Sequence, residues 1–164
     1  MHLKTMNDLF WEEMRDLYTA EQMLGNELSK LAAEASNGCL KDSLQSFAND
    51  SQKQVERLRQ AFMMMGQPLE VEECKGMEGL IKQADYMVEH AADPEVKDAA
   101  IISEVQKMKH YEIAAYSNMR IFADKLGMQN IASMMADALY DEQKIDNELT
   151  SLAVGIIASK AIAA

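Results

Sequence analysis

The sequence is poor in the residues that interrupt helices. It contains two prolines and seven glycines among 164 residues. An all-β domain of this length needs a turn about every ten residues, and such turns depend on glycine and proline. The scarcity therefore argues against a sandwich or a barrel and predicts a few long helices.

Basic residues and cysteines are also scarce. Sixteen lysines and arginines stand against 27 acidic residues, a formal net charge of -11. Binding to nucleic acid or to an anionic membrane surface requires a basic face, so we expect neither partner. Two cysteines are too few for a disulfide framework, which favours reduced thiols and a cytoplasmic protein.

Long hydrophobic runs are missing, although the chain is 48% hydrophobic and therefore not disordered. No signal peptide is visible, because Asn7 and Asp8 follow the first residues where an apolar stretch would be needed. The segment 152–164 is apolar, but it is too short to span a bilayer and contains Lys160. We expect this segment to pack on the body or on a second subunit.

Helix-terminal signals and periodicity predict a single domain over residues 1–164. Two typical helix starts are present, one at Thr5 with Asp8 and one at Asp93 with Pro94 after it. Two of the predicted helices are followed by a glycine, which commonly ends a helix. The predicted helices span about 7–35, 40–65, 75–91, 94–126 and 129–152. Two helical hairpins and a long connection carrying a short helix are typical of a four-helix bundle with one crossover.

Three of the long helices carry apolar residues at alternating spacings of three and four, interrupted once by a glutamate. Such a series marks the buried face of a bundle helix. The interrupting residues are Glu21, Glu112 and Glu142. The second helix is less regular and has a polar middle turn at residues 49–52.

Positions equally far from a hairpin turn lie at equal height. Glu112 and Glu142 are equally distant in sequence from Gly127, and Glu21 and Gln52 are almost equally distant from the turn at position 37. Because the rise is about 1.5 Å per residue in every helix, all four helices place a polar side chain in one layer near mid-bundle.

Three glutamates inside an apolar core need compensation, because a buried unpaired carboxylate costs several kcal/mol. Protonation, a basic partner or a bound cation would each provide it. No lysine or arginine falls on the apolar series at that level, so the pattern favours one or two metal ions. Asp146, one turn after Glu142, would supply a fourth carboxylate.

The motifs around these positions resemble a known family. The stretches 18–21, 77–81, 110–116 and 141–146 are similar to those of the YciF/YciE-type bacterial stress proteins of the ferritin-like superfamily. The resemblance covers about residues 9–152. It implies an all-α, ferritin-like four-helix bundle with a short extra helix in the crossover, a cytoplasmic homodimer and a di-iron-type carboxylate centre. It implies no defined biochemical activity.

One departure from the family pattern concerns the second helix. The resemblance implies a Glu-x-x-His pair where this chain has Asn49 and Gln52, with Asp50 as a candidate substitute. Imidazole suits iron, whereas an all-oxygen shell suits manganese, magnesium or calcium. The expected centre is therefore a degenerate dimetal site that holds iron or another divalent ion, or is empty.

Three further side chains are candidates near this layer. Tyr18 and Tyr116 flank the glutamates by about one turn, where they either supply hydroxyl groups or pack in the core. Glu78, in the crossover helix, is a minor candidate ligand and more readily a structural residue.

Two functions remain open at this point. One is a di-iron-type oxidase of weak activity, and the other is a non-enzymatic, dimeric stress protein without a redox metal. The missing Glu-x-x-His pair favours the second, and nothing in the sequence calls for a storage cage.

Overall fold

The structure of the chain, a computed structural model, is built from five α-helices. It describes residues 3–161, and the side chains of residues 3–156. The helices are α1 (Met6–Glu34), α2 (Gly38–Met64), α3 (Lys75–His90), α4 (Pro94–Lys125) and α5 (Gln129–Ala161). Over the described range no strand is present. The bounds lie within two residues of the predicted ones, except that α5 continues beyond position 152.

The predicted helix-terminal signals form the expected local structures. The N–H of Asp8 donates to the Thr5 hydroxyl at 3.1 Å, and the N–H of Thr5 donates to the Asp8 carboxylate at 2.9 Å. Asp93 caps the start of α4. Gly66 and Gly127, with φ of 60° and 76°, take the left-handed conformation that ends α2 and α4. These signals set the helix lengths that bring the mid-bundle residues to one level.

The helices form a ferritin-like bundle of two antiparallel hairpins. The α1–α2 hairpin packs on the α4–α5 hairpin so that α1 lies beside α4 and α2 beside α5, while α3 covers α4 and α1. The crossover from α2 to α4 carries α3. The turn between α1 and α2 is held by the buried Asp98, which accepts hydrogen bonds from the N–H groups of Ser36 at 2.7 Å and Asn37 at 2.9 Å.

The apolar core is divided into two clusters by a polar layer. Every apolar position of the series predicted for α1 is buried, and these positions are Phe10, Met14, Leu17, Leu24, Leu28, Leu31 and Ala35. Leu17 belongs to the cluster near the start of α1, and Leu24 belongs to the cluster near the α1–α2 turn. Glu21 lies between them. The polar layer is therefore at mid-height and is sealed by apolar residues on both sides.

The last helix extends past the predicted end of the bundle. Leu152 and Ile156 are partly buried against the cluster near the α1–α2 turn. The expectation that the whole C-terminal segment packs on the body or on a partner lies outside the described side chains from position 157 onward. Within the described range, no helix combines the length and the apolar character that a membrane crossing requires.

Candidate metal centre

Three glutamates from three helices meet in the polar layer. Glu21, Glu112 and Glu142 are each 0% exposed. One carboxylate oxygen of each lies within 4.8 Å of an oxygen of the other two. The apolar periodicity of α1, α4 and α5 turns all three side chains toward the bundle axis, and the equal distances from the turns bring them to one height.

A lysine lies among these carboxylates. Lys109 is fully buried, and its ammonium group donates to Glu112 Oε2 at 2.8 Å and to Glu142 Oε2 at 2.7 Å. The prediction that no basic residue reaches this level is therefore wrong. Lys109 lies three residues before Glu112 and thus on the same face of α4. The neglected signal is a second buried series along α4, which consists of Val105, Lys109, Glu112, Tyr116 and Met119.

The two tyrosines near the layer have different roles. The hydroxyl of Tyr116, which is fully buried, donates to Glu21 Oε1 at 2.7 Å and so connects α4 to α1. Tyr18 is buried in the cluster near the start of α1, and its hydroxyl accepts a hydrogen bond from the Gln22 amide at 3.3 Å. Tyr116 therefore supports the carboxylate cluster directly, whereas Tyr18 packs beside it.

Burial governs the protonation of the centre. It raises the pKa of Glu21 to about 7, with help from Glu142 and against the attraction of Lys109. Burial and the Glu21 charge also hold the pKa of Glu112 well above its usual range. Burial lowers the pKa of Lys109, but the surrounding carboxylates outweigh it and raise that pKa, so the ammonium stays charged. Three carboxylates facing one ammonium leave an excess of negative charge, which protons offset.

Each glutamate also keeps one oxygen free of hydrogen bonds. The carboxylate oxygens without a protein partner are Glu21 Oε2, Glu112 Oε1 and Glu142 Oε1. A buried acceptor without a partner is costly, so these three atoms are the places where a further cation or proton would be stabilised.

The second helix buries polar residues other than the two expected ones. Asn49 and Gln52 are exposed, whereas Ser51 is fully buried and its hydroxyl has no hydrogen-bond partner in the described protein. The prediction that Asn49 and Gln52 face the glutamates is therefore wrong. The buried face of α2 runs from Phe47 through Ser51 to Val55, and this regular spacing was a usable signal.

The remaining candidates lie outside the glutamate cluster, each close to a lysine or a histidine. Their pairs are Asp50 with Lys53 at 2.6 Å, Asp146 with His110 at 3.1 Å and Glu78 with Lys82 at 2.6 Å. The structure thus corrects the placement of Asp146 as a fourth carboxylate of the centre. One helical turn rotates the side chain by about 40° relative to Glu142, enough to bring Asp146 to the exposed His110.

These side chains do not fit a di-iron centre. Ferritin-like di-iron sites use four carboxylates and two imidazoles from the four helices. Here the clustered ligands among the described residues are three carboxylates. The neighbouring His110 is largely exposed and pairs with Asp146. An ammonium group already contacts two of the three carboxylates.

Comparison with known proteins supports the family resemblance. Residues 5–162 match the family described as "Domain of unknown function (DUF892)". The chain is 35% identical to Protein YciF of Escherichia coli strain K12 over 162 residues, which cover 98% of each protein.

Solved structures agree with that match. The crystal structure of the E. coli stress protein YciF superposes with a TM-score of 0.92 at 34% identity, over 95% of this chain and 99% of that one. YcfI from Rhodopseudomonas palustris gives a TM-score of 0.87 at 37% identity, over 90% of this chain and 94% of that one. The resemblance to YciF-type stress proteins is thus confirmed, and the chain belongs to the DUF892 family.

Proposed function

We propose that this chain is a YciF-type stress-response protein that acts as a structural, non-enzymatic protein. Its carboxylate centre is a degenerate dimetal site that works without a redox metal. The observation that carries the proposal is the position of Lys109, whose ammonium donates to both Glu112 and Glu142 inside the sealed core.

Redox chemistry on oxygen or peroxide needs metals with open coordination positions and ligands that hold them. In this chain the buried polar residues of the second helix are Ser51 and Gln54, and that helix adds neither an imidazole nor a carboxylate to the glutamate cluster among the described residues. Any metal at Glu112 and Glu142 would compete with an ammonium that makes two hydrogen bonds there. The donor set therefore favours a structural role over an oxidase.

The proposal includes a homodimer in the cytoplasm. Four apolar side chains near the start of α1 and the end of α2 are more than half exposed: Leu3, Met63, Met64 and Val71. A second copy would remove such surface from water, a favourable change in free energy. Light scattering on the purified protein should give about twice 18.4 kDa, the mass of one chain.

Metal content and oxidase activity test the main proposal. Protein purified from cells grown with added iron and manganese should contain well under one metal ion per chain by elemental analysis. It should not accelerate the oxidation of ferrous iron in air beyond the rate in buffer. About two iron ions per chain, with fast oxidation, would contradict the proposal.

A neutral-core variant tests the structural role in the cell. Replacing Lys109 with Met and Glu21, Glu112 and Glu142 with Gln removes the charges while keeping similar volumes, which a core tolerates well. In a strain that lacks the gene and is sensitive to stress, this variant should restore survival as well as the parent. Loss of protection by a variant that still folds would indicate that the charged centre is needed.

A further inference from the structure

The carboxylate layer has a cation of its own. Lys109 Nζ lies 2.8 Å from Glu112 Oε2 and 2.7 Å from Glu142 Oε2, at 0% exposure. These distances are those of short, charge-assisted hydrogen bonds. The ammonium is covalently attached to α4, so its local concentration at the carboxylates does not depend on the surroundings.

We infer that the Lys109 ammonium takes the place of a metal ion in this chain, and that it covers a latent site for one hard divalent cation on Glu21, Glu112 and Glu142. The inference deepens the proposed function and rests on it, since it names the group that keeps metal out of the centre. It concerns what the same carboxylates bind once Lys109 is removed.

The geometry and the donor atoms identify the class of cation. The candidate ligand atoms are carboxylate oxygens within 4.8 Å of one another, and Ca²⁺ or Mn²⁺ binds such oxygens at about 2.2–2.5 Å. Two such bonds on opposite sides of one ion separate their two oxygens by about the same 4.8 Å. Oxygen ligands without imidazole or thiolate favour these hard ions over zinc or copper.

Charge supplies the second argument. If all three carboxylates were ionised, one ammonium would leave an excess of two negative charges, which protons offset in the parent, whereas one divalent ion would leave an excess of one. The three free oxygens, one on each glutamate, are the atoms that the ammonium does not satisfy. A divalent ion would therefore suit the carboxylates better than Lys109 does, were it not for the cost of displacing the lysine.

That cost explains why the parent should stay free of metal. An ion that entered between the carboxylates would leave a buried ammonium with fewer partners, and breaking a buried ion pair in this way is strongly unfavourable. Replacing Lys109 with Met removes the competing charge and keeps a side chain of similar length. The variant then has three buried carboxylates that lack a cation.

The experiment compares the parent, Lys109→Met and a control variant, Lys82→Met. Lys82 is a surface lysine that pairs with Glu78. Each protein is dialysed against Mn²⁺, freed of loosely bound metal, and measured by elemental analysis and by the electron paramagnetic resonance spectrum of Mn²⁺. We expect about one Mn²⁺ per chain in Lys109→Met, at least about ten times the content of the other two. Mn²⁺ should also raise the melting temperature of Lys109→Met alone.

The result can overturn the inference in two ways. Lys109→Met that folds and binds no more Mn²⁺ or Ca²⁺ than the parent would disprove it. Lys109→Met that stays unfolded with and without these ions would also disprove it, because the ion should replace the ammonium. Folding that depends on added ion would support it. Iron found in the parent would contradict the proposed function, whereas a metal-free variant contradicts only this inference.

Discussion

The hydroxyl of Tyr116 on α4 donates a 2.7 Å hydrogen bond to the carboxylate of Glu21 on α1, and both side chains are fully buried. This bond joins the two helical hairpins at the level of the polar layer. Tyr116 thus donates to Glu21, whereas Lys109 donates to Glu112 and Glu142. The centre is therefore supported by two donors from α4, placed about two turns apart.

Removal of the tyrosine hydroxyl tests that support. Tyr116→Phe removes the donor to Glu21 Oε1 in the core, which should lower the free energy of unfolding by about 1–3 kcal/mol. Urea denaturation followed by circular dichroism measures it. Tyr140→Phe is the matched control, since Tyr140 is 69% exposed and its change should be near zero. Equal effects in both variants would argue against the importance of the bond.

Stability should fall as the pH rises from about 5 to 8. The carboxyl of Glu21 has a pKa of about 7 in the folded chain and about 4.5 as a reference value. Between these values the folded state keeps a proton that the unfolded state has released, so raising the pH favours unfolding. The loss reaches about 3 kcal/mol if Glu21 acts alone.

Urea denaturation at pH 5.5 and pH 8 measures this dependence. Glu21→Gln cannot titrate but keeps an acceptor for Tyr116, so its stability should change less between the two pH values. A parent and a variant with the same pH dependence would show that Glu21 does not hold the proton.

The turn between α1 and α2 depends on a residue from α4. Asp98→Ala removes the acceptor of the N–H groups of Ser36 and Asn37, and we expect a loss of about 2–4 kcal/mol in the free energy of unfolding. Thermal and urea denaturation check the value. Asp42→Ala, at an exposed position of α2, should change stability little. If Asp98→Ala costs no more than this surface control, the contact does not hold the turn.

The exposed positions on α2 give a further test. Asn49→Glu combined with Gln52→His creates the Glu-x-x-His pair expected from the family resemblance, yet both positions are exposed in this chain. We expect the double variant to bind no more iron than the parent when both are loaded with ferrous ion and desalted. Two additional iron ions per chain would show that α2 can turn these residues inward.

Much of the fold follows from local signals in the sequence. The capping pair Thr5–Asp8 and the terminal residues Gly66 and Gly127 determine where helices begin and end through bonds or backbone angles that involve near neighbours. The long crossover then follows from the number of residues between the end of α2 and the start of α4. Such interactions span a few residues, which is why they can be read without knowing the packing.

The polar layer was predictable where the apolar series was regular. Glu21, Glu112 and Glu142 interrupt otherwise apolar faces, and counting from the hairpin turns puts them at one height. On α2 the same reasoning failed, because the turn around Asn49 and Gln52 is polar on several sides and does not mark its own buried face. The polar residues of α2 that packing buries are Ser51 and Gln54 instead.

The sequence by itself determined that helices carry glutamates into the core; only the tertiary structure decided what neutralises them. Met108 and Lys109 are neighbours separated by about 100° around α4, and both are compatible with a face that includes Glu112. Which of them contacts the other helices depends on the rotation of α4 about its axis, and that rotation is fixed by packing across the whole bundle. In the folded chain both are buried, and the lysine reaches Glu142 across 33 positions of sequence.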